Sequence, residues 1–121
     1  YCMYDIENRI VKINLYGEVF ELLATTRATT KAGAYFADEK LTGKNIDTDA
    51  GYNACLFMFL MLHNEALRFR AWQNKTEYKP KKIEDIEFML VLDDLKPISD
   101  AIKEAVYKSK KVDVETEASK N

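Results

Sequence analysis

Nine consecutive apolar residues, Ala54 to Leu62, constrain this chain more than any other feature of its sequence. At 100° per residue, a helix through them is apolar around its whole circumference. Such a helix must be covered on all sides, inside its own domain or against another chain. The run is far short of the roughly 20 residues needed to span a bilayer. Beyond His63 the pattern turns amphipathic, with Arg68, Arg70 and Gln73 interleaved among Leu67, Phe69 and Trp72. The spacing therefore predicts one long helix over about 49–73, buried in its first half and one-sided in its second. At 121 residues the chain is the length of a single domain and can bury well over half of its unfolded surface. With 47% hydrophobic and 31% charged residues, 4 Gly and 2 Pro, it is neither collagen-like nor fully disordered.

The remaining elements are expected around that helix. Val11, Ile13 and Leu15 alternate with Lys12 and Asn14, and Phe20 and Leu22 share a face after Gly17. This pattern predicts a β-hairpin within residues 10–24, with Gly17 supplying the positive φ of a tight connection. A two-stranded hairpin is marginal alone, so it must lie on helices or pair with another chain. Thr25 or Thr26 is placed to cap a helix in which Ala28, Ala32, Tyr35, Phe36 and Glu39 recur up to Leu41. Thr42-Gly43 would end it, and a polar loop over 42–48 would lead to a cap at Asp47, Thr48 or Asp49. Pro80 and the neighbouring lysines disfavour helix in the connection 74–82. A third helix is expected over 83–95 with two apolar sides, Ile83/Ile86/Met89/Leu90 and Phe88/Val91/Leu92/Leu95, so that two partners sandwich it. Pro97 would open a fourth helix with the stripe Ile98, Ala101, Ile102, Ala105 and Val106. The expectation is an α+β domain, mostly α, over residues 1–108: an N-terminal hairpin packed on about four helices. Residues 109–121 read as a flexible polar tail.

Chemistry is thinly represented. Cys2 and Cys55 are too few for a disulfide framework or a four-cysteine metal site, and the lone His63 excludes a multi-histidine centre. No nucleophile-elbow or Cys-His pattern is present. His63 reads as an ordinary core or helix-surface histidine, and Cys55 as a small core hydrophobe. Asp47-Thr48-Asp49 lacks the closing glutamate of a calcium loop, with Met58 or Leu56 in its place. Asp93-Asp94 reads as a solvated pair. Gly43-Lys44 lacks the earlier glycine of a phosphate loop, and Asn74-Lys75-Thr76 is a glycosylation triplet without a visible secretory signal. No catalytic residue, metal ligand or cofactor is therefore expected, nor an enzyme. The N-terminus and the short apolar run suggest a soluble intracellular domain. Lys79/Lys81/Lys82 and Lys108/Lys110/Lys111, with Arg68, Arg70 and Trp72, suggest a DNA-binding regulator as an alternative. Against it stands a net charge of −2, which gives no overall basic field.

Apolar surface is the salient property, and Phe69 and Trp72 are its best candidates for partner binding. They lie at i and i+3 on the amphipathic half of the long helix, flanked by Arg68 and Arg70. Aromatic residues and arginine concentrate binding energy at interfaces. The competing reading is that Trp72 closes the core.

The hairpin Ile13-Asn14-Leu15-Tyr16-Gly17-Glu18-Val19-Phe20-Glu21-Leu22 leads into Thr26-Arg27-Ala28. An acidic-apolar segment (Ile83-Glu84-Asp85-Ile86-Glu87 to Leu92-Asp93-Asp94-Leu95) and a terminal amphipathic helix follow. This layout, over about residues 10–108, resembles the tail assembly chaperones of long-tailed bacteriophages, particularly those of Gram-positive hosts. The resemblance implies a non-enzymatic homo-oligomer that coats the tape measure protein in the host cytoplasm and is absent from the mature virion. It also implies assistance to tail tube assembly, with tube subunits recruited by a frameshifted, C-terminally extended form. Neither nucleic acid nor membrane is an implied partner.

Overall fold

The computed structural model describes residues 6–36 and 49–120, with side chains for 6–31 and 51–109. The architecture is mostly helical with an N-terminal antiparallel hairpin and four helices. A 3-10 turn at Ile6–Arg9 precedes β1 (Val11–Leu15) and β2 (Glu18–Leu22). The helices are α1 (Thr26–Phe36), α2 (Asp49–Asn74), α3 (Ile83–Glu87) and α4 (Leu95–Lys120), with a 3-10 turn at Leu92–Asp94 before the last. The expected end of α1 at Glu39, Leu41 and Thr42-Gly43, the loop 42–48 with its caps Asp47 and Thr48, and Cys2 lie outside the described residues.

The hairpin follows the alternation of its sequence. Val11 pairs with Leu22 and Ile13 with Phe20, so the apolar residues of both strands share one face. Val11, Leu15, Phe20 and Leu22 are buried there against α2 and α4. Two-residue turns that match strand twist require positive φ at both central positions. Gly17 takes φ 88°, and Tyr16 accepts φ 55° although it carries a large side chain. Two contacts hold the turn: Asn14 Oδ1 accepts a hydrogen bond from the Gly17 amide at 3.0 Å, and the Tyr16 hydroxyl donates to Asp94.

α2 is the central element. Leu56, Met58, Phe59 and Leu62 are buried, and Cys55, Leu60 and Met61 are partly so, because β2, α4, α1 and α3 all pack against this helix. Most of the all-round apolar run is thus covered within the domain. The strand edge of β2 is engaged too: the Leu23 amide donates to Leu62 O at 3.1 Å, and His63 Nδ1 meets Glu21 O at 2.9 Å. α2 ends through a backbone device rather than through Pro80. Lys75 adopts φ 57°, and the Thr76 amide donates to Ala71 O at 2.9 Å, the six-to-one bond of a Schellman cap.

Downstream, the expectation of one continuous, sandwiched helix over 83–95 needs correction. Helix over 83–95 is interrupted after Glu87. The Val91 amide, which a continuous helix would direct to Glu87 O, instead donates to Asp94 Oδ2 at 2.9 Å. Met89 and Leu90 make tighter i−3 bonds to Ile86 O and Glu87 O, both at 3.2 Å. Asp94 is therefore a cap that also receives Tyr16, and not a merely solvated acid. The segment is also not sandwiched. Ile86 and Leu95 are buried and Ile83, Met89 and Leu90 pack on the core, whereas Phe88, Val91 and Leu92 are 83%, 59% and 59% exposed. Finally, α4 starts at Leu95, with Pro97 inside its first turn, and its backbone stays helical past residue 108 to Lys120. Once nucleated, a helix adds one hydrogen bond for each further residue it fixes, so polar residues propagate it readily. Ile98, Ala101, Ile102 and Ala105 supply the buried stripe.

Candidate partner-binding groove

The groove forms where α2 emerges from the core. Ala66 is buried with Ile10 and Leu23, and Ile6 and Phe69 pack onto that small cluster. One wall comes from the amphipathic half of α2 and the other from the base of the hairpin, which leads directly into α1. Between them lies an open cavity of about 540 Å³. Ile6, Leu23, Phe69 and Trp72 supply its apolar lining, and Arg9, Arg68, Thr25 and Glu65 are among its polar groups. Phe69 and Trp72 stand with ring centroids 6.1 Å apart, and Trp72 is 74% exposed. Trp72 thus does not close the core. An exposed indole beside a half-buried phenyl ring is the arrangement expected of a binding surface.

Glu65 organises the polar side. Its carboxylate accepts from Thr25 Oγ1 at 2.8 Å and from Arg27 at 2.6 Å, with Arg68 at 3.6 Å. Burial pushes the Glu65 carboxyl up, but these hydrogen bonds and the two arginine charges outweigh it and hold the group below its ordinary range. Thr25 serves twice, because its oxygen also accepts from the Ala28 amide at 3.1 Å and so caps α1. The Arg68 guanidinium lies 4.3 Å from the centre of the Tyr78 ring, a cation–π contact that fixes its direction.

The four candidate residues divide. Phe69, Trp72 and Arg68 line the groove. Arg70 belongs to a separate cluster that ties α2 to the hairpin: it donates to Glu21 at 2.9 and 2.7 Å, to Glu7, and to Gln73 at 2.9 Å. The Arg70 hydrogen bonds lower the Glu21 carboxyl and favour Arg70's own charged form still further. Consecutive helix positions point 100° apart, so Arg68 and Arg70 lie on opposite sides of the Phe69 direction. The periodicity that pairs Phe69 with Trp72 carries no signal of which flanking arginine the hairpin claims.

His63 belongs to the core. Lysine can only donate, so Lys81 Nζ, 3.1 Å from Nε2, makes that nitrogen an acceptor; Nδ1 then carries the proton given to Glu21 O. Burial pushes the imidazole below its usual value. Asn64 adds a two-bond clamp to the Lys81 backbone at 2.8 and 3.0 Å, so the polar connection 75–82 is pinned to α2. Cys55 is held as a thiol, its pKa pushed up to about 12 by burial. Of the lysines proposed for nucleic acid, Lys81 and Lys108 lie 3.7 Å from Glu18 and Glu104, and the side chains of Lys110 and Lys111 are outside those described. Among the described residues, no three His, Cys, Asp or Glu side chains gather as a metal site, and no helix is long and apolar enough to cross a membrane.

No known protein family, curated protein or solved structure matches the chain.

Proposed function

We propose that this protein is a phage tail assembly chaperone, a non-enzymatic binder that shields amphipathic stretches of the tape measure protein in the host cytoplasm until the tail tube encloses them. The observation that carries this reading is the exposed Trp72 beside Phe69 in an open, mostly apolar groove. Burial of apolar area supplies about 25 cal/mol per Å², from which association costs are subtracted. A single groove of this size gives a modest contact, suited to a client that must later be released. Arg68, held by Tyr78 and half in solvent, adds a preference for clients with an acidic residue beside the apolar stripe. Recruitment of tube subunits through an extended form belongs to the same proposal.

Co-expression with the tape measure protein tests it. The chain should retain that protein in the soluble fraction, and Trp72→Ala should lose this effect while melting like the wild type. A tape measure protein equally soluble with and without the chain would sink the reading.

A further inference from the structure

We propose that His63, Lys81 and Glu18 form a proton-operated latch: protonation of His63 exchanges Lys81 for Glu18 at the imidazole and unpins the connection 75–82 from α2. The contacts of the neutral ring define the latch. His63 is buried, and its Nδ1–H is committed to Glu21 O at 2.9 Å. Nε2 accepts from Lys81 Nζ at 3.1 Å, and the same ammonium lies 3.7 Å from the Glu18 carboxylate. The next residue, Asn64, grips the Lys81 backbone through two hydrogen bonds. Consecutive positions of α2 thus hold the side chain and the main chain of one lysine. The connection in turn sets Tyr78 against Arg68, a residue of the groove wall.

Protonation inverts the contact at Nε2. That nitrogen becomes a donor facing an ammonium that can only donate, with two positive charges 3.1 Å apart. The imidazole cannot withdraw. The Phe20 and Phe59 rings pack on it with centroids 5.0 and 6.3 Å away, and Nδ1 stays bonded to β2. Lys81 can withdraw, because its ammonium sits on a flexible four-carbon stem that reaches solvent. The charged groups acting on the ring are Lys81 from the connection and Glu18 and Glu21 from β2. Arg70 holds the Glu21 carboxylate, so accepting from Nε2–H falls to Glu18, which is half in solvent. With the Lys81 side chain gone, Asn64 alone clamps residue 81. Burial and the nearby ammonium keep the latched imidazole below its ordinary 6.5, and opening relieves both. The open state therefore binds the proton more tightly, and its population rises by up to about tenfold per pH unit between those two values. The inference does not rest on the chaperone reading, because it needs no client.

Amide hydrogen exchange of the full chain tests this, followed residue by residue by NMR from about pH 7.5 to 5 and corrected for intrinsic exchange rates. The Lys81 amide, which donates to Asn64 Oδ1, should lose protection by up to about tenfold per pH unit below 6.5. Core amides of Phe59, Leu62 and Ile102 should lose less, because the connection opens without global unfolding. His63→Gln keeps a hydrogen-bonding side chain that takes up no proton, and should make Lys81 protection flat with pH. Lys81→Met removes the ammonium and leaves the backbone clamp. It should move the His63 titration, read from the imidazole resonances, up toward 6.5, and Glu18→Gln should move it down. The last two variants change partly exposed side chains and keep the test readable should His63→Gln not fold. Wild-type Lys81 protection that is flat with pH overturns the proposal. So do Lys81 and core amides losing protection by equal factors, or a His63 titration unmoved by Lys81→Met and Glu18→Gln.

Discussion

The first half of α2 and the segment 83–95 are alike in sequence, since both carry apolar side chains on more than one side. They end in opposite environments. The α2 run is enclosed by β2, α4, α1 and α3, and its Leu56, Phe59 and Leu62 are fully buried. In the segment the Ile86 side and Leu95 pack inward, while Phe88, Val91 and Leu92 face solvent. The difference comes from local competition for backbone bonds. α2 stays helical from Asp49 to Asn74, so the run presents most of its faces to the elements packed around it. In the segment Asp94 captures the Val91 amide, and the shortened helix turns one apolar side away from the core. Apolar surface that folding does not cover is available for partners.

Truncating one phenylalanine in each region tells the two environments apart most directly. Phe59→Ala should destabilise the protein by about 3–5 kcal/mol, as expected for emptying a packed aromatic site. Phe88→Ala should change stability by less than about 0.5 kcal/mol, as exposed substitutions do. Denaturant unfolding measures both, and similar losses would mean that the segment is covered after all.

A smaller effect is expected at Glu65, where the two halves of α2 meet. Glu65→Ala removes charge-assisted bonds to Thr25 and Arg27 and should cost about 1–2 kcal/mol, limited because Arg27 and Arg68 are half in solvent. If the melting temperature does not move, the Glu65 cluster does not stabilise the junction.

Acid should act in two stages. The His63 value is depressed below 6.5, so the unfolded chain takes up a proton first and stability starts to fall as pH drops below about 6.5. Glu21 and Glu65 are held below 4.5, so their contribution is complete above that value and is lost as pH falls through their lower native values. Melting followed from pH 8 to 3, with His63→Gln as reference, separates the stages. A wild-type curve flat from pH 7 to 5 would remove the histidine from this account.

The smallest change is expected from deleting residues 112–121. Ala105 and Val106 are the last described contacts of α4 with the core, so the melting temperature should shift by only a few degrees. A large drop would show that the end of α4 docks on the domain and would restore a covered surface to the comparison.

Much of this fold was legible without coordinates. The alternation of Val11, Ile13 and Leu15 placed the hairpin face, and the spacing of Ile98, Ala101 and Ile102 placed the α4 stripe. Thr25 was one of two candidate caps for α1, and the run 54–62 identified the helix that had to be enclosed. Each of these is a local periodicity or a local hydrogen bond, which the order of residues alone encodes. The same reasoning put Phe69 and Trp72 on one face of α2. Tertiary contacts decided what periodicity leaves open. They placed Trp72 in solvent and not at the core edge, gave Arg70 to Glu21 and Glu7 while leaving Arg68 to the groove, and brought Tyr16 to Asp94. Exposure and ion pairing depend on which distant element arrives at a face, and residues 49 or 78 positions apart in the chain leave no mark on one another's local pattern.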